Sequence, residues 1–100
     1  MKVVVIGGGV AGIRTALALG RLGLSPILIE KEATLGGKLR GWHCLFPTLT
    51  PAREILTPLL GELHTLGIEV LTSTEVTAIG EGGVQTSHGW VECRATVICS

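Results

Sequence analysis

The chain has 100 residues, enough for one small domain around a single core, and its 46% apolar and 16% charged content is that of a folded globular protein. Eight basic and eight acidic side chains cancel to a formal charge of zero, so nothing in the electrostatics favours nucleic acid, an anionic membrane or an acidic polymer as partner. Fifteen glycines against one phenylalanine describe an aliphatic core shaped by turns and close chain approaches.

Lys2–Ile6 is a β-branched run without polar alternation, the pattern of a strand buried on both faces of a parallel sheet, and Gly7 ends it. From Val10 to Leu22, Val10, Ile13 and Leu17 recur at helical spacing with Arg14 and Arg21 left outward, and Gly23 supplies the stop. Three consecutive glycines and Arg14 interrupt what a secretory h-region would need, so export is not expected. Pro26–Ile29 is a second buried strand that closes on Glu30. Joined through one helix, the two strands are expected to be parallel neighbours.

Residues 31–50 lack a sustained period and carry Gly36, Gly37, Gly41 and Pro47, which reads as a long functional loop. Ile55, Leu59 and Leu63 resume the helical pattern. Pro58 is expected to divide it into a short turn and a main segment, with Thr57 as N-cap and Pro58 at the first helical position. Ile68–Leu71 then forms a third parallel strand after Gly67. Glu75–Ile79, Val84–Ser87 and Trp90–Cys93 read as an antiparallel meander turning at Gly80–Gly83 and at His88-Gly89. Thr96–Cys99 is one more buried strand. The expectation is a single α/β domain over residues 1–100, a parallel sheet carrying an antiparallel meander. No apolar run approaches the roughly 20 residues that span a bilayer, so a cytoplasmic location without membrane insertion is expected.

The informative residues are Gly7, Gly9 and Gly12, which satisfy G-x-G-x-x-G between a strand and a helix, with Glu30 closing the next strand 18 positions after Gly12. Gly7 makes the tight turn, Gly9 keeps a Cβ away from an approaching pyrophosphate, and Gly12 lets helix and sheet pack closely. The first helical N–H groups, at Val10 and Ala11, would face that pyrophosphate in the positive field of the helix end. Glu30 would accept from ribose hydroxyls and disfavour a 2′-phosphate, which argues against NADP.

NAD and FAD share these features. The segment Glu30-Lys31-Glu32-Ala33-Thr34-Leu35-Gly36-Gly37-Lys38 resembles that of two-dinucleotide-binding flavoproteins, where an acid is followed by Gly-Gly and a basic residue. The resemblance implies FAD as cofactor, with Lys31, Gly36, Gly37 and Lys38 around its ribose and pyrophosphate. It also implies a Rossmann-like FAD/NAD(P)-binding fold, and it places Val76 where backbone groups contact the adenine edge. Read by itself, Gly36-Gly37 is an ordinary loop tip and Val76 a core strand residue. The spacing from Gly36-Gly37 to Phe46-Pro47-Thr48 resembles the flavin-binding polypeptide of heterodisulfide reductase and its relatives. In that family the following segment carries cluster-ligating cysteines. Pro51 and Glu54 stand at those positions here, so no iron–sulfur cluster is expected.

Cys44, Cys93 and Cys99 are an odd and widely spaced set, suited to reduced thiols. Cys93 and Cys99 are expected to be buried in strands. Cys44, beside His43, has no partner for a redox pair but could be a reactive thiolate. His64 and His88 read as surface groups, and no histidine spacing suggests a metal site.

Arg94–Ser100 resembles the return strand that in these flavoproteins leads to an Ala-Thr-Gly motif beside the flavin, which would make the domain incomplete at its C-terminal end. The expected function is to hold the ADP moiety of FAD within a flavin-dependent oxidoreductase; no catalytic residue can be named. A non-catalytic nucleotide-binding module, completed by a partner chain, and an NAD-binding domain are the competing readings.

Overall fold

The computed structural model describes residues 1–33, 35 and 52–99, with residues 52–56 described by backbone alone. The elements follow in the order β1 (Lys2–Ile6), α1 (Val10–Arg21), β2 (Ser25–Ile29), α2 (Ala52–Thr65), β3 (Glu69–Leu71), β4 (Val76–Gly80), β5 (Gly83–Thr86), β6 (Gly89–Glu92) and β7 (Ala95–Ile98). The α/β expectation holds, with most boundaries within a residue or two.

β1 lies at the centre of a parallel sheet of order β3-β2-β1-β7. It runs in register with β2 from Lys2↔Ser25 to Ile6↔Ile29, and with β7 from Val3↔Ala95 to Ile6↔Ile98. The chain leaves β1 for β2 on one side and returns as β7 on the other. The ends of these strands at Ile6 therefore mark the point where connections diverge, the usual crevice for a ligand in such sheets. β4, β5 and β6 form a separate antiparallel sheet in sequence order.

The apolar runs are buried on both faces because two different layers cover the parallel sheet. Val5 and Leu28 project into a core with Ile13, Ala16, Leu17, Leu35 and Leu63, so α1 and α2 cover one face. Val4, Ile27 and Ile29 project the other way, against Val84 and Cys93, with Val76 and Val91 beside them. The meander covers that face. The period-2 split between Val4 and Val5, and between Ile27 and Leu28, is the pleat of a two-sided strand. An exposed Arg21–Glu62 ion pair also links the helices, in a setting where such pairs add little.

Two local expectations need correction. α2 runs unbroken from Ala52 to Thr65 with Pro58 inside it, although proline removes one helical N–H bond and crowds the preceding turn. Leu59, Leu60 and Leu63 pack into the helical core, and burial of that face holds the helix together against its local propensity. β7 is half-exposed rather than buried, with Ile98 64% exposed. It is the outer strand of the described sheet, so one side of it is left open.

Candidate functional site

The turn after β1 is built by three glycines in different ways. Gly7 takes φ +110°, a left-handed conformation that side chains disfavour, and its N–H donates to the Ile29 carbonyl at 2.9 Å. A Cβ on Gly12 would lie 1.7 Å from the Gly7 carbonyl oxygen; the first turn of α1 therefore lies directly on the strand end. Gly9 differs from both. It is the N-cap of α1 in an extended conformation, φ −76° and ψ −177°, with no side-chain cap, and among the described residues a Cβ on it would meet nothing within 4 Å.

Gly9 stands immediately before the first turn of α1. The first helical bond runs from the Ile13 N–H to the Gly9 carbonyl at 3.0 Å, leaving the N–H groups of Val10, Ala11 and Gly12 without intrahelical acceptors. No acidic residue occupies the first turn. Val10, Ala11 and Gly12 thus present donors in a positive helix-end field that no carboxylate of that turn offsets, and a phosphate group fits such a cradle.

Glu30 is buried, 8% exposed, and is tied into the same turn. Its Oε1 accepts from the Gly8 N–H at 2.8 Å and its Oε2 from the Glu32 N–H at 2.7 Å. Its own N–H donates to the Leu71 carbonyl at 2.8 Å and its carbonyl accepts from the Thr74 N–H at 3.0 Å. A carboxylate has about four lone-pair sites. Two backbone bonds leave acceptor capacity on both oxygens, so Glu30 can hold the glycine turn and still receive hydroxyl donors.

Gly8, which the motif leaves unspecified, belongs to this arrangement. A Cβ there would stand 2.6 Å from Leu35 Cδ2 and 3.0 Å from Glu30 Cβ. The only local sign of it is the run of three glycines where the motif needs two. Leu35, buried at 8% exposure, brings the segment after Glu30 against the turn.

Lys31 is exposed beside Glu30. Gly36, Gly37 and Lys38 lie outside the described residues, as do His43, Cys44 and Phe46-Pro47-Thr48. Val76 starts β4 opposite Thr86, at a β-bulge that ends by Ala78, and its side chain joins the core under the parallel sheet. Cys93 is buried, but after β6 rather than within it. Cys99 is partly exposed just beyond β7, its N–H donating to the Ile6 carbonyl at 2.8 Å and its thiol 3.6 Å from Thr15 Oγ1. His64 and His88 are exposed as expected. Among the described residues no three His, Cys, Asp or Glu side chains are grouped to hold a metal ion, and no helix is long and apolar enough to cross a membrane.

The central strand, glycine turn, helix end and buried acid define a Rossmann-like dinucleotide-binding domain. Residues 1–92 match the pyridine nucleotide-disulphide oxidoreductase family, and the chain belongs to it. A protein of Archaeoglobus profundus that is itself like a heterodisulfide reductase subunit is 43% identical over 99% of this chain and 16% of its own length. One subunit of the ferredoxin/F420H2-dependent CoB-CoM heterodisulfide reductase of Methanosarcina acetivorans is 40% identical over 87% of this chain and 11% of its own length. This chain thus spans about a sixth or less of these relatives. Among solved structures, an NAD-dependent persulfide reductase from A. fulgidus is 25% identical with a TM-score of 0.71, over 99% of this chain and 17% of that one. An FAD-dependent pyridine nucleotide-disulphide oxidoreductase from Desulfovibrio vulgaris shares the fold, with a TM-score of 0.74 at 18% identity over 99% of this chain and 24% of that one.

Proposed function

We propose that residues 1–100 form the dinucleotide-binding domain of a cytoplasmic flavin-dependent oxidoreductase and hold the ADP half of FAD. The family assignment supports FAD as the cofactor. The observation that carries the reading is Gly9: at a helix end without a side-chain cap, a Cβ on it would meet no other described residue within 4 Å. Folding alone would favour a capping side chain there.

In this reading Gly7, Gly9, Val10, Ala11 and Gly12 receive the pyrophosphate, and the remaining lone pairs of Glu30 take the ribose hydroxyls. Lys31, Gly36, Gly37 and Lys38 line the same half of the cofactor, and backbone groups at Val76 meet the adenine edge. FAD supplies hydride or electron transfer when bound. The described side chains bind and orient; none is placed as a catalytic acid or base. A further segment or partner chain completes the flavin site in this reading, and the open side of β7 with exposed Ile98 is a surface suited to receive it. The relatives named as heterodisulfide reductase subunits make a multi-subunit redox enzyme the setting we propose for this domain.

Calorimetric titration of the full chain with FAD, ADP and NAD tests the reading. FAD and ADP are expected to bind alike, because only the ADP half is held, and Glu30→Ala should weaken both by about tenfold. Unchanged affinity in Glu30→Ala overturns the site. Tighter binding of NAD than of FAD overturns the flavin assignment.

A further inference from the structure

The connection from β3 to β4 is held in an unusual conformation by groups far away in sequence. Among the described residues Ser73 is the one non-glycine with a left-handed backbone, φ +50°. Its N–H donates to the Glu32 carbonyl at 2.8 Å, and the next N–H, of Thr74, donates to the Glu30 carbonyl at 3.0 Å. The segment is thus laced along the backbone of the acid that closes β2.

Its other side is gripped by the β5–β6 turn. His88 Nε2 lies 2.9 Å from the Ser73 carbonyl oxygen, and because a carbonyl can only accept, Nε2 carries the proton in this bond. Ser87 N–H donates to the Glu75 carbonyl at 2.8 Å, and Ser87 Oγ accepts from the Glu75 N–H at 3.1 Å. The turn itself is fixed by Thr86, 5% exposed, whose hydroxyl accepts from the His88 N–H at 3.1 Å and donates to the Gly89 carbonyl at 2.8 Å. A continuous path of bonds therefore runs from the Gly8 N–H through Glu30 and Glu32 to Ser73 and His88.

We propose that the Ser87–His88 turn is a positioning element of the nucleotide site, and that His88 fixes residues 73–76 in the shape against which the adenosine lies. The proposal rests on the nucleotide reading given above. The two Ser87–Glu75 bonds continue the β4–β5 ladder beyond Val76↔Thr86, whereas the His88 bond to Ser73 lies outside that ladder. The effect of these bonds is to hold a strained connection in one arrangement beside Glu30 before any ligand arrives, which lowers the ordering cost of binding. Without the His88 bond the segment samples other conformations, and apparent affinity falls in proportion to the population that remains competent.

The test uses the full chain, unaltered and as His88→Ala and His88→Gln, titrated with ADP and separately with inorganic pyrophosphate, with amide exchange followed at Ser73 and Thr74. Loss of one neutral hydrogen bond predicts ADP binding weakened by about threefold to tenfold in His88→Ala. Pyrophosphate binding and the unfolding midpoint should be unchanged, and exchange at Ser73 and Thr74 faster. His88→Gln, whose amide N–H reaches the same carbonyl, should restore most of the affinity. Unaltered ADP affinity in His88→Ala overturns the proposal while leaving the nucleotide site standing. Equal weakening of ADP and pyrophosphate with a lowered midpoint assigns His88 to general stability and also overturns it. Absence of ADP binding by the unaltered chain overturns both readings.

Discussion

Two glycine-rich turns of similar composition serve different ends. At the β4–β5 turn the close contacts are filled by the protein itself: a Cβ on Gly83 would lie 2.3 Å from the Val91 carbonyl oxygen and 2.8 Å from the Trp90 ring. Those contacts explain why glycine stands there. At the turn after β1, Gly12 is explained in the same way by the Gly7 carbonyl, but Gly9 is not. Its conformation is one any residue adopts and its Cβ direction is open. A glycine with a packing reason supports the fold; Gly9, which lacks one and stands at a helix end without a side-chain cap, is the one on which the proposed nucleotide site rests.

That contrast can be broken at Gly12 first. Gly12→Ala puts a methyl group into the Gly7 carbonyl, backbone against backbone, and should destabilise the chain by about 3 kcal/mol, the upper end of overpacking costs. Urea denaturation reads it, and retention of full stability would mean that α1 does not lie on the strand end. Gly9→Asp should do the reverse. The carboxylate caps α1 and raises stability by about 0.3 kcal/mol, while its charge and bulk lower ADP affinity by about a hundredfold. Thermal melting and calorimetry on one preparation show both halves. If affinity survives, the open direction at Gly9 is not where a phosphate lies. Gly83→Ala completes the contrast on the meander, costing about 1–3 kcal/mol because Trp90 can shift but the Val91 carbonyl cannot easily do so. Its ADP affinity should fall far less than that of Gly9→Asp.

The sequence made the sheet legible because strands buried on both faces leave unbroken apolar runs, as at Val3-Val4-Val5 and Ile27-Leu28-Ile29. The proposed site was legible where its pattern is local, in Gly7, Gly9, Gly12 and Glu30, which the fold brings to one turn. What local pattern could not reveal depends on contacts across the chain. Gly8 is bonded to Glu30 across 22 positions, and His88 to Ser73 across 15. The unbroken α2 has the same origin: Pro58 signals a break, and the burial of Leu59, Leu60 and Leu63 against distant residues outweighs it. β7 carries the apolar run of a buried strand, yet stands at the outer side of the described sheet.

Gly61 limits what an open Cβ direction can mean by itself. It lies in α2, exposed, and among the described residues a Cβ on it would also meet nothing within 4 Å. Open space alone therefore cannot mark a ligand site; Gly61 lies within a helix whose N–H groups have intrahelical acceptors, whereas Gly9 lies before N–H groups that have none within the helix. Gly61 is also close to the end of α2 that leads into β3, at the opposite end of the sheet from the glycine turn. Gly61→Ala should accordingly stabilise the chain by about 0.5–1 kcal/mol through the lost backbone freedom of the unfolded state. ADP affinity should not change. Greater stability with lost affinity would place ligand contacts on α2 and move the proposed site away from Gly9; greater stability alone leaves the α1 donors that lack intrahelical acceptors, rather than the missing Cβ, as what sets Gly9 apart from Gly61.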